Sequence, residues 1–360
     1  MTSKFWSETV RRTEPYVPGE QLDLPDLLKL NTNENPYPPS PAVREEIQQE
    51  LDRKLQLYPS PTVDGLRQKI ADYYTLESKN IFVGNGSDEV LAFAFMAFFN
   101  SLETIRFPAV SYSFYPVYAK LFNIPFEEVE LNRDFTIQPE CFFQSEGGVI
   151  FPNPNAPTGI YLELDSIRDI LDSNPDRVVI IDEAYVDFAG ESAVSLVNMY
   201  DNLLVVQTMS KSRSLAGLRI GFALGHPELI EALIRIKDSF NSYTLDRLAI
   251  AGAKAAIMDT EYFRKTTEKI TRTRDWTVDE LKKRGFHVLP SSANFVFVSH
   301  YKHTAEQLYT RLKEQHILVR HFTKPQIENY LRITIGTDEQ MQHLLRELDK
   351  MDCKNGSRPN

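Results

Sequence analysis

Lys211 stands in the stretch Thr208-Met-Ser-Lys-Ser-Arg-Ser-Leu-Ala-Gly-Leu-Arg219-Ile-Gly-Phe222, directly after the apolar run Leu203-Leu-Val-Val206. A strand over that run would bring the lysine to a sheet edge. Small and hydroxyl residues follow it, and Arg219 stands eight positions later. An amine so placed can form a Schiff base with a carbonyl compound, and the hydroxyls and guanidinium beside it can hold a phosphate.

Four other segments could complete such a site. Val178-Val-Ile-Ile-Asp182-Glu-Ala-Tyr185 reads as a buried strand ending in a carboxylate, where open α/β sheets hold their ligands. The Asp-Glu pair could be the acidic end of an ATPase strand, but the Gly-rich loop ending in Gly-Lys-Ser/Thr that such an enzyme needs does not occur in the chain. It could also be a helix cap. Beside Lys211, the better reading is a carboxylate facing a heterocyclic nitrogen, with the Tyr185 hydroxyl a short distance away. Gly84-Asn-Gly-Ser-Asp-Glu89 turns tightly into an apolar helix, whose free N–H groups and positive dipole end suit an anion. The plainer alternative is a loop in which Ser87 or Asp88 caps that helix. Asn153-Pro-Asn-Ala-Pro-Thr-Gly159 is a rigid turn able to present a side-chain amide. Tyr112-Ser-Phe-Tyr-Pro offers an aromatic ring to stack on a planar group, although packing in the core or between subunits accounts for most such aromatics.

Arginines near the C-terminus form the last group. In Leu331-Arg-Ile-Thr-Ile335 the apolar residues alternate, so Arg332 and Thr334 share the opposite strand face. Arg332 either grips a carboxylate or phosphate bidentately or is a surface arginine on an exposed face, and Arg320 poses the same choice. His300 and His303 lie close together without an evident third ligand, so no metal site is assigned.

These groups need a frame. The chain has 360 residues, enough for two domains, with 42% hydrophobic and 25% charged residues, as in ordinary globular proteins. The first 30 residues carry little periodicity and read as an arm. Ser40-Pro41 starts a helix. Strands are predicted at residues 81–83, 104–107, 128–131, 149–151, 178–181, 204–207 and 220–224. Helical patterns separate several of them, which indicates a mostly parallel, helix-covered α/β sheet. A long helical stretch over 244–284 leads to a smaller α/β unit with strands at 294–298, 317–322 and 330–335 and helices near 304–314 and 338–351. The expected division is an arm over 1–35, a large domain over 36–260 and a small domain over 261–360.

A formal charge of −10 argues against nucleic acid or an anionic membrane as the main partner. The longest apolar run, Val90 to Phe99, is half of the ~20 residues a membrane span needs. Arg11-Arg12 lacks the apolar region that a secretory signal requires. Cys141 and Cys353 are far apart and suit a reducing compartment. The sequence therefore reads as a soluble, cytoplasmic protein.

In this order, the motifs resemble those of the fold-type-I pyridoxal-phosphate aminotransferases, most closely the histidinol-phosphate aminotransferase family. The resemblance runs from Leu30-Asn-Thr-Asn-Glu-Asn-Pro36 to Leu331-Arg-Ile-Thr-Ile-Gly336. It implies pyridoxal phosphate as cofactor, with Lys211 as its covalent anchor, Asp182 at the pyridine nitrogen and Tyr185 at the ring hydroxyl. Gly86, Ser87 and Asp88 would cap its phosphate, with Thr208, Ser210 and Arg219 around it and Tyr112 stacked on the ring. Tyr58 matches a residue that reaches the partner subunit's cofactor, which implies a homodimer with shared sites. Tyr16, Arg320 and Arg332 match positions that handle the substrate's anionic end. Many relatives carry asparagine directly before Pro-Thr-Gly, where this chain has Ala156; Asn155 or Asn153 is expected to take over. The implied reaction joins L-histidinol phosphate to 2-oxoglutarate, giving imidazole-acetol phosphate and glutamate. Aromatic amino-acid aminotransferases and threonine-phosphate decarboxylases share most of these motifs and are the alternatives. A regulator built on the same scaffold would need a DNA-binding module, for which the short arm leaves no room.

Overall fold

A computed structural model describes residues 3–51 and 54–353. Helix α1 (Glu8–Arg12) and strand β1 (Leu28–Leu30) lie in the stretch read as an unpatterned arm. Helix α2 (Pro41–Leu51) begins where Ser40-Pro41 predicts, the Ser40 hydroxyl accepting from the Ala42 amide at 3.2 Å. After α3 (Asp64–Tyr74) come β2 (Ile81–Asn85), α4 (Gly86–Phe98), β3 (Ile105–Pro108), α5 (Tyr115–Phe122) and β4 (Phe126–Val129). Then follow β5 (Val149–Pro152), α6 (Leu164–Asp172), β6 (Val179–Asp182), β7 (Leu203–Thr208) and β8 (Ile220–Gly225). Helices α7 (Pro227–Phe240), α8 (Arg247–Met258) and α9 (Thr260–Lys283) lead to β9 (Phe286–Val288) and β10 (Phe295–His300). The chain closes with α10 (Ala305–Glu314), β11 (Ile317–His321), β12 (Leu331–Thr334) and α11 (Asp338–Cys353).

Seven strands form one sheet in the order β2-β8-β7-β6-β5-β3-β4. Its neighbours are parallel except at β8, which runs antiparallel to both β2 and β7. Every residue of β5, β6 and β7 is buried. Helices cover both faces of a parallel sheet, so its central strands are continuous apolar runs rather than alternating ones. Side chains still alternate between two cores: Val179 and Ile181 pack with α6 on one face, while Ile180 joins Phe93 and Phe95 of α4 on the other.

The other sheet has the order β1-β11-β12-β10-β9, with β1 parallel to β11 and the remaining pairs antiparallel. Leu28 and Leu30 of the arm therefore pack into the same core as Ile317, Val319, Leu331 and Ile333. Tyr185, three residues beyond β6, also packs into that core, its ring edge-on to Phe295 at 5.0 Å. The carboxyl ends of β5, β6 and β7 thus open toward the second sheet.

Four elements depart from the sequence reading. The edge strand β4 lies two residues earlier than predicted, because Phe126 stacks on Phe107 with ring centroids 5.2 Å apart and tertiary packing outweighs local preference. The long helical stretch breaks at Asp259, which caps α9 by accepting from the Tyr262 amide at 3.1 Å and also accepts from the Ser40 hydroxyl. Strands β1 and β9, of three residues each, are too short to show a period. Among the described residues no helix is long and apolar enough to cross a membrane, and no cluster of His, Cys, Asp and Glu could hold a metal. Cys141 is free and exposed; the Cys353 side chain lies outside the described residues.

Candidate active site

Strand β7 ends at Thr208, and the turn after it brings Lys211 to a cavity of about 170 Å³ that Thr208, Ser210, Asp182, Tyr185 and Arg219 also line. The Lys211 Nζ donates to the Thr32 carbonyl at 2.9 Å. The Asn35 side chain in turn donates to the carbonyls of Lys211 and Ser212, both at 3.0 Å. Burial and the nearby charge of Arg332 push the lysine pKa down to about 8, against Glu34 and Asp88, which favour its charged form.

Asp182 is the last residue of β6, and its carboxylate is held from two sides. The Tyr115 hydroxyl donates to Oδ2 at 3.0 Å and the Ala184 amide to Oδ1 at 3.2 Å. Burial still pushes its pKa up to about 6. Among the described residues no lysine or arginine forms an ion pair with it. A buried carboxylate without a cationic partner is complementary to a protonated ring nitrogen, the arrangement in which burying its charge is compensated. Glu183 takes no part in this: its carboxylate accepts from the Ser192 hydroxyl at 2.5 Å, the Ala193 amide at 2.7 Å and the Gln207 side chain at 2.8 Å. The two acidic residues are therefore spent on different tasks.

The start of α4 supplies the anion end. No side-chain hydrogen bond from Asn85 caps it, so the amides of Gly86, Ser87 and Asp88 face the turn at the positive end of the helix. Gly86 has φ +76°, and the Arg219 guanidinium lies 2.5 Å from where its Cβ would stand. Arg219 donates to Asp88 Oδ2 at 2.9 Å and Tyr112 to Asp88 Oδ1 at 2.7 Å, so Asp88 orients both. The Thr208 and Ser210 hydroxyls are 3.0 Å apart. This donor set fits a phosphate.

Close backbone approach makes that turn sensitive. A Cβ on Gly221 of β8 would meet the Gly86 carbonyl carbon and the Ser87 nitrogen at 2.3 Å. Gly221→Ala is expected to lower stability by about 3 kcal/mol, the upper end for overpacking. The control Gly217→Ala has nothing within 4 Å and is expected to move the denaturant midpoint little. Equal midpoints for the two variants would refute the close-approach account.

At the other end of the cavity, Arg320 and Arg332 are register partners on β11 and β12. Like charges directly opposite one another destabilise a sheet. Among the described residues neither has a carboxylate partner. Arg332 instead donates to the Asn31 carbonyl at 3.0 Å and lies over the rings of Phe295 and Phe322, at 5.3 and 5.9 Å. Among the described residues its buried Nε has no partner. Arg320 donates to the Pro18 carbonyl at 3.3 Å. Neither is a surface arginine on an open sheet face. Tyr16 also lines the cavity, stacked on Phe114 at 4.2 Å. Its segment is anchored by Arg12, which donates to the last carbonyls of α5 at Lys120 and Leu121, both at 3.0 Å.

Three residues proposed from the sequence, Asn155, Asn153 and Tyr58, do not line this cavity. The Asn155 side chain turns inward, donating to the Val110 carbonyl and the Thr158 hydroxyl at 3.0 Å, and Asn153 spends its amide on both polar groups of Leu162. Ala156 lines the cavity instead, and neither Asn153 nor Asn155 does. Tyr58 lies outside the cavity, 80% exposed and stacked on Tyr243.

Other residues had no role in the sequence reading. Tyr115 is one aromatic among several in its sequence segment, yet it holds Asp182. Asn31, Thr32, Asn33 and Asn35 together contact Arg332, Lys211, Tyr185 and the backbone of Lys211. Their signal was available: an amide-rich run directly after the apolar alternation Leu28-Lys-Leu30, where a surface loop has no need of such uniform chemistry.

The family model for aminotransferase class I and II matches residues 25–348. Histidinol-phosphate aminotransferase 1 of Oceanobacillus iheyensis is 61% identical over 347 residues, which is 96% of this chain and 98% of that one. The histidinol-phosphate aminotransferase of Clostridium acetobutylicum is 56% identical over 346 residues, again 96% and 98% of the two chains. Among solved structures, histidinol-phosphate aminotransferase from Sinorhizobium meliloti, in complex with pyridoxal-5'-phosphate, superposes with a TM-score of 0.87 at 22% identity, covering 98% of this chain and 99% of that one. With the lysine, carboxylate and anion-binding turn assembled as described, the chain belongs to the class I and II aminotransferases and, within them, to the histidinol-phosphate aminotransferase family.

Proposed function

We propose that the protein exchanges an amino group between L-histidinol phosphate and 2-oxoglutarate, with pyridoxal phosphate in the cavity that Lys211 lines. The donor set supports that cofactor: Ser87, Thr208, Ser210, Arg219 and the uncapped start of α4 would hold its phosphate, and Asp182, Tyr185 and Tyr112 its ring. Bound there, the cofactor supplies an electron sink for the breaking Cα–H bond. Asp182 keeps a negative charge beside the ring nitrogen, with Tyr115 and the Ala184 amide fixing its direction. Lys211, set free when the substrate amine takes its position, removes the proton from the substrate Cα in one half-reaction and returns a proton to Cα in the other. Tyr16 and its anchored segment cover the substrate side.

The observation that carries the substrate reading is the cross-strand pair Arg320 and Arg332. Two neighbouring guanidiniums that pair with no carboxylate among the described residues can grip a phosphate in one half-reaction and a carboxylate in the next. Relatives at 61% and 56% identity named for histidinol phosphate favour it over an aromatic amino acid or threonine phosphate. Purified protein given glutamate and imidazole-acetol phosphate is expected to release 2-oxoglutarate. No release above the enzyme-free control would defeat the assignment.

We also infer a homodimer with shared sites. Exposed Leu55 and Leu57 precede the exposed Tyr58, which stacks on the exposed Tyr243, and exposed apolar side chains of this kind are what a second copy covers. Tyr58 would then reach the second copy's cavity. The acidic charge and the two isolated cysteines favour the cytoplasm.

A further inference from the structure

We propose that Asn33 is a positioning residue that sets the direction of the Tyr185 hydroxyl, so that its proton is donated into the cavity. This rests on the reading that the cavity holds pyridoxal phosphate. Asn33 is 1% exposed, and a buried amide has to satisfy its polar groups within the protein. The Thr334 hydroxyl accepts from the Asn33 main-chain N–H at 3.0 Å, and its own proton goes to Asn33 Oδ1, also at 3.0 Å. That leaves Nδ2 facing the Tyr185 oxygen, at 2.9 Å. Were the amide turned over, the Thr334 hydroxyl would receive two donors, and its proton would have no acceptor among the described residues. Hydrogen-bond satisfaction of this kind is what assigns an asparagine's orientation.

Because Nδ2 donates to the Tyr185 oxygen, the phenolic proton cannot lie along that line. Among the described residues the Tyr185 hydroxyl has no acceptor of its own, and the residue lines the cavity. Accepting a hydrogen bond also makes a hydroxyl a stronger donor. Burial raises the Tyr185 pKa, and the Asn33 contact, with the charge of Arg332, opposes that rise. The main chain of Asn33 is fixed as well, its carbonyl accepting from the Asn294 side chain at 3.0 Å. One asparagine, held by β12 and the loop before β10, therefore aims a tyrosine that follows β6.

A donor at the cofactor's ring oxygen draws electron density from it, so protons nearby are released at lower pH. Losing that donor moves the pH midpoint of the bound cofactor's visible absorbance upward. In the holoenzyme, Asn33→Asp keeps the shape but offers the Tyr185 proton a carboxylate. It is expected to raise the midpoint by roughly one unit, as is Tyr185→Phe. In the Tyr185→Phe background, Asn33→Asp is expected to add less than about a third of that shift, since the hydroxyl it redirects is gone. An equal shift in both backgrounds, or none in either, would overturn the proposal, because charge or general structure would then explain the result. Should Asn33→Asp fail to fold, Thr334→Val frees the amide to turn, and a smaller upward shift that vanishes with Tyr185→Phe is expected. If the unaltered protein shows no visible absorbance with pyridoxal phosphate, the cofactor reading fails instead.

Discussion

Lys211→Ala is expected to lower the rate of amino transfer by at least about 10³-fold, the range for a positioned general acid–base. Lys211→Arg is expected to fare no better, since a guanidinium keeps its proton throughout the accessible pH range. The structure gives the reason that this lysine is suited to the task. With its pKa pushed down by burial and Arg332 to about 8 instead of the ordinary 10.5, more of the amine is in the free, proton-accepting form near neutral pH. Single-turnover conversion of glutamate, followed spectroscopically in folded protein, measures the effect directly. Lys211→Ala retaining more than about a hundredth of the rate would remove Lys211 from the chemistry, because a positioned acid–base contributes at least ~10².

The second large effect is at Asp182. Asp182→Asn is nearly isosteric and can keep partners in Tyr115 and the Ala184 amide, but it loses the charge. A loss of about 10³ in kcat is expected, equivalent to ~4 kcal/mol of transition-state stabilisation. Stability should move the other way. The carboxyl pKa is raised from 3.8 unfolded to about 6 folded, so the folded, cofactor-free protein binds more protons between those values and loses stability as pH rises through that window. At pH 7 the asparagine variant without cofactor is therefore expected to be more stable, by on the order of 1–3 kcal/mol. Paired kcat values and denaturant midpoints test both halves. A variant that is slower and also less stable would make Asp182 a structural residue instead.

Much of this was legible beforehand, and the reasons differ by element. β5, β6 and β7 were readable because strands buried on both faces must be uninterrupted apolar runs, and Asp182, Thr208 and Lys211 could be placed by counting from their ends. Arg320 and Arg332 were readable as candidates, but not as neighbours, since register between β11 and β12 is not local information. The failure at Asn155 has a simple cause: its amide satisfies the Val110 carbonyl and Thr158 within the turn, a demand invisible in a one-dimensional motif. Tyr115 and Asn33 escaped notice because their importance lies in what they touch across the fold, 67 residues away at Asp182 and 152 away at Tyr185.

The distance between β1 and β11 along the chain bears on how the enzyme is made. Asn33 and its partner Thr334 are separated by 301 residues. The strands that end in Asp182 and lead into the Lys211 turn can pair while synthesis is still under way, yet Thr32 and Asn33 cannot settle against them until β11 and β12 have emerged. Contacts of such sequence separation form late. A nascent chain would therefore hold the reactive lysine for much of its synthesis in an open, unaligned setting, and competence would come in a final step when the first strand meets nearly the last.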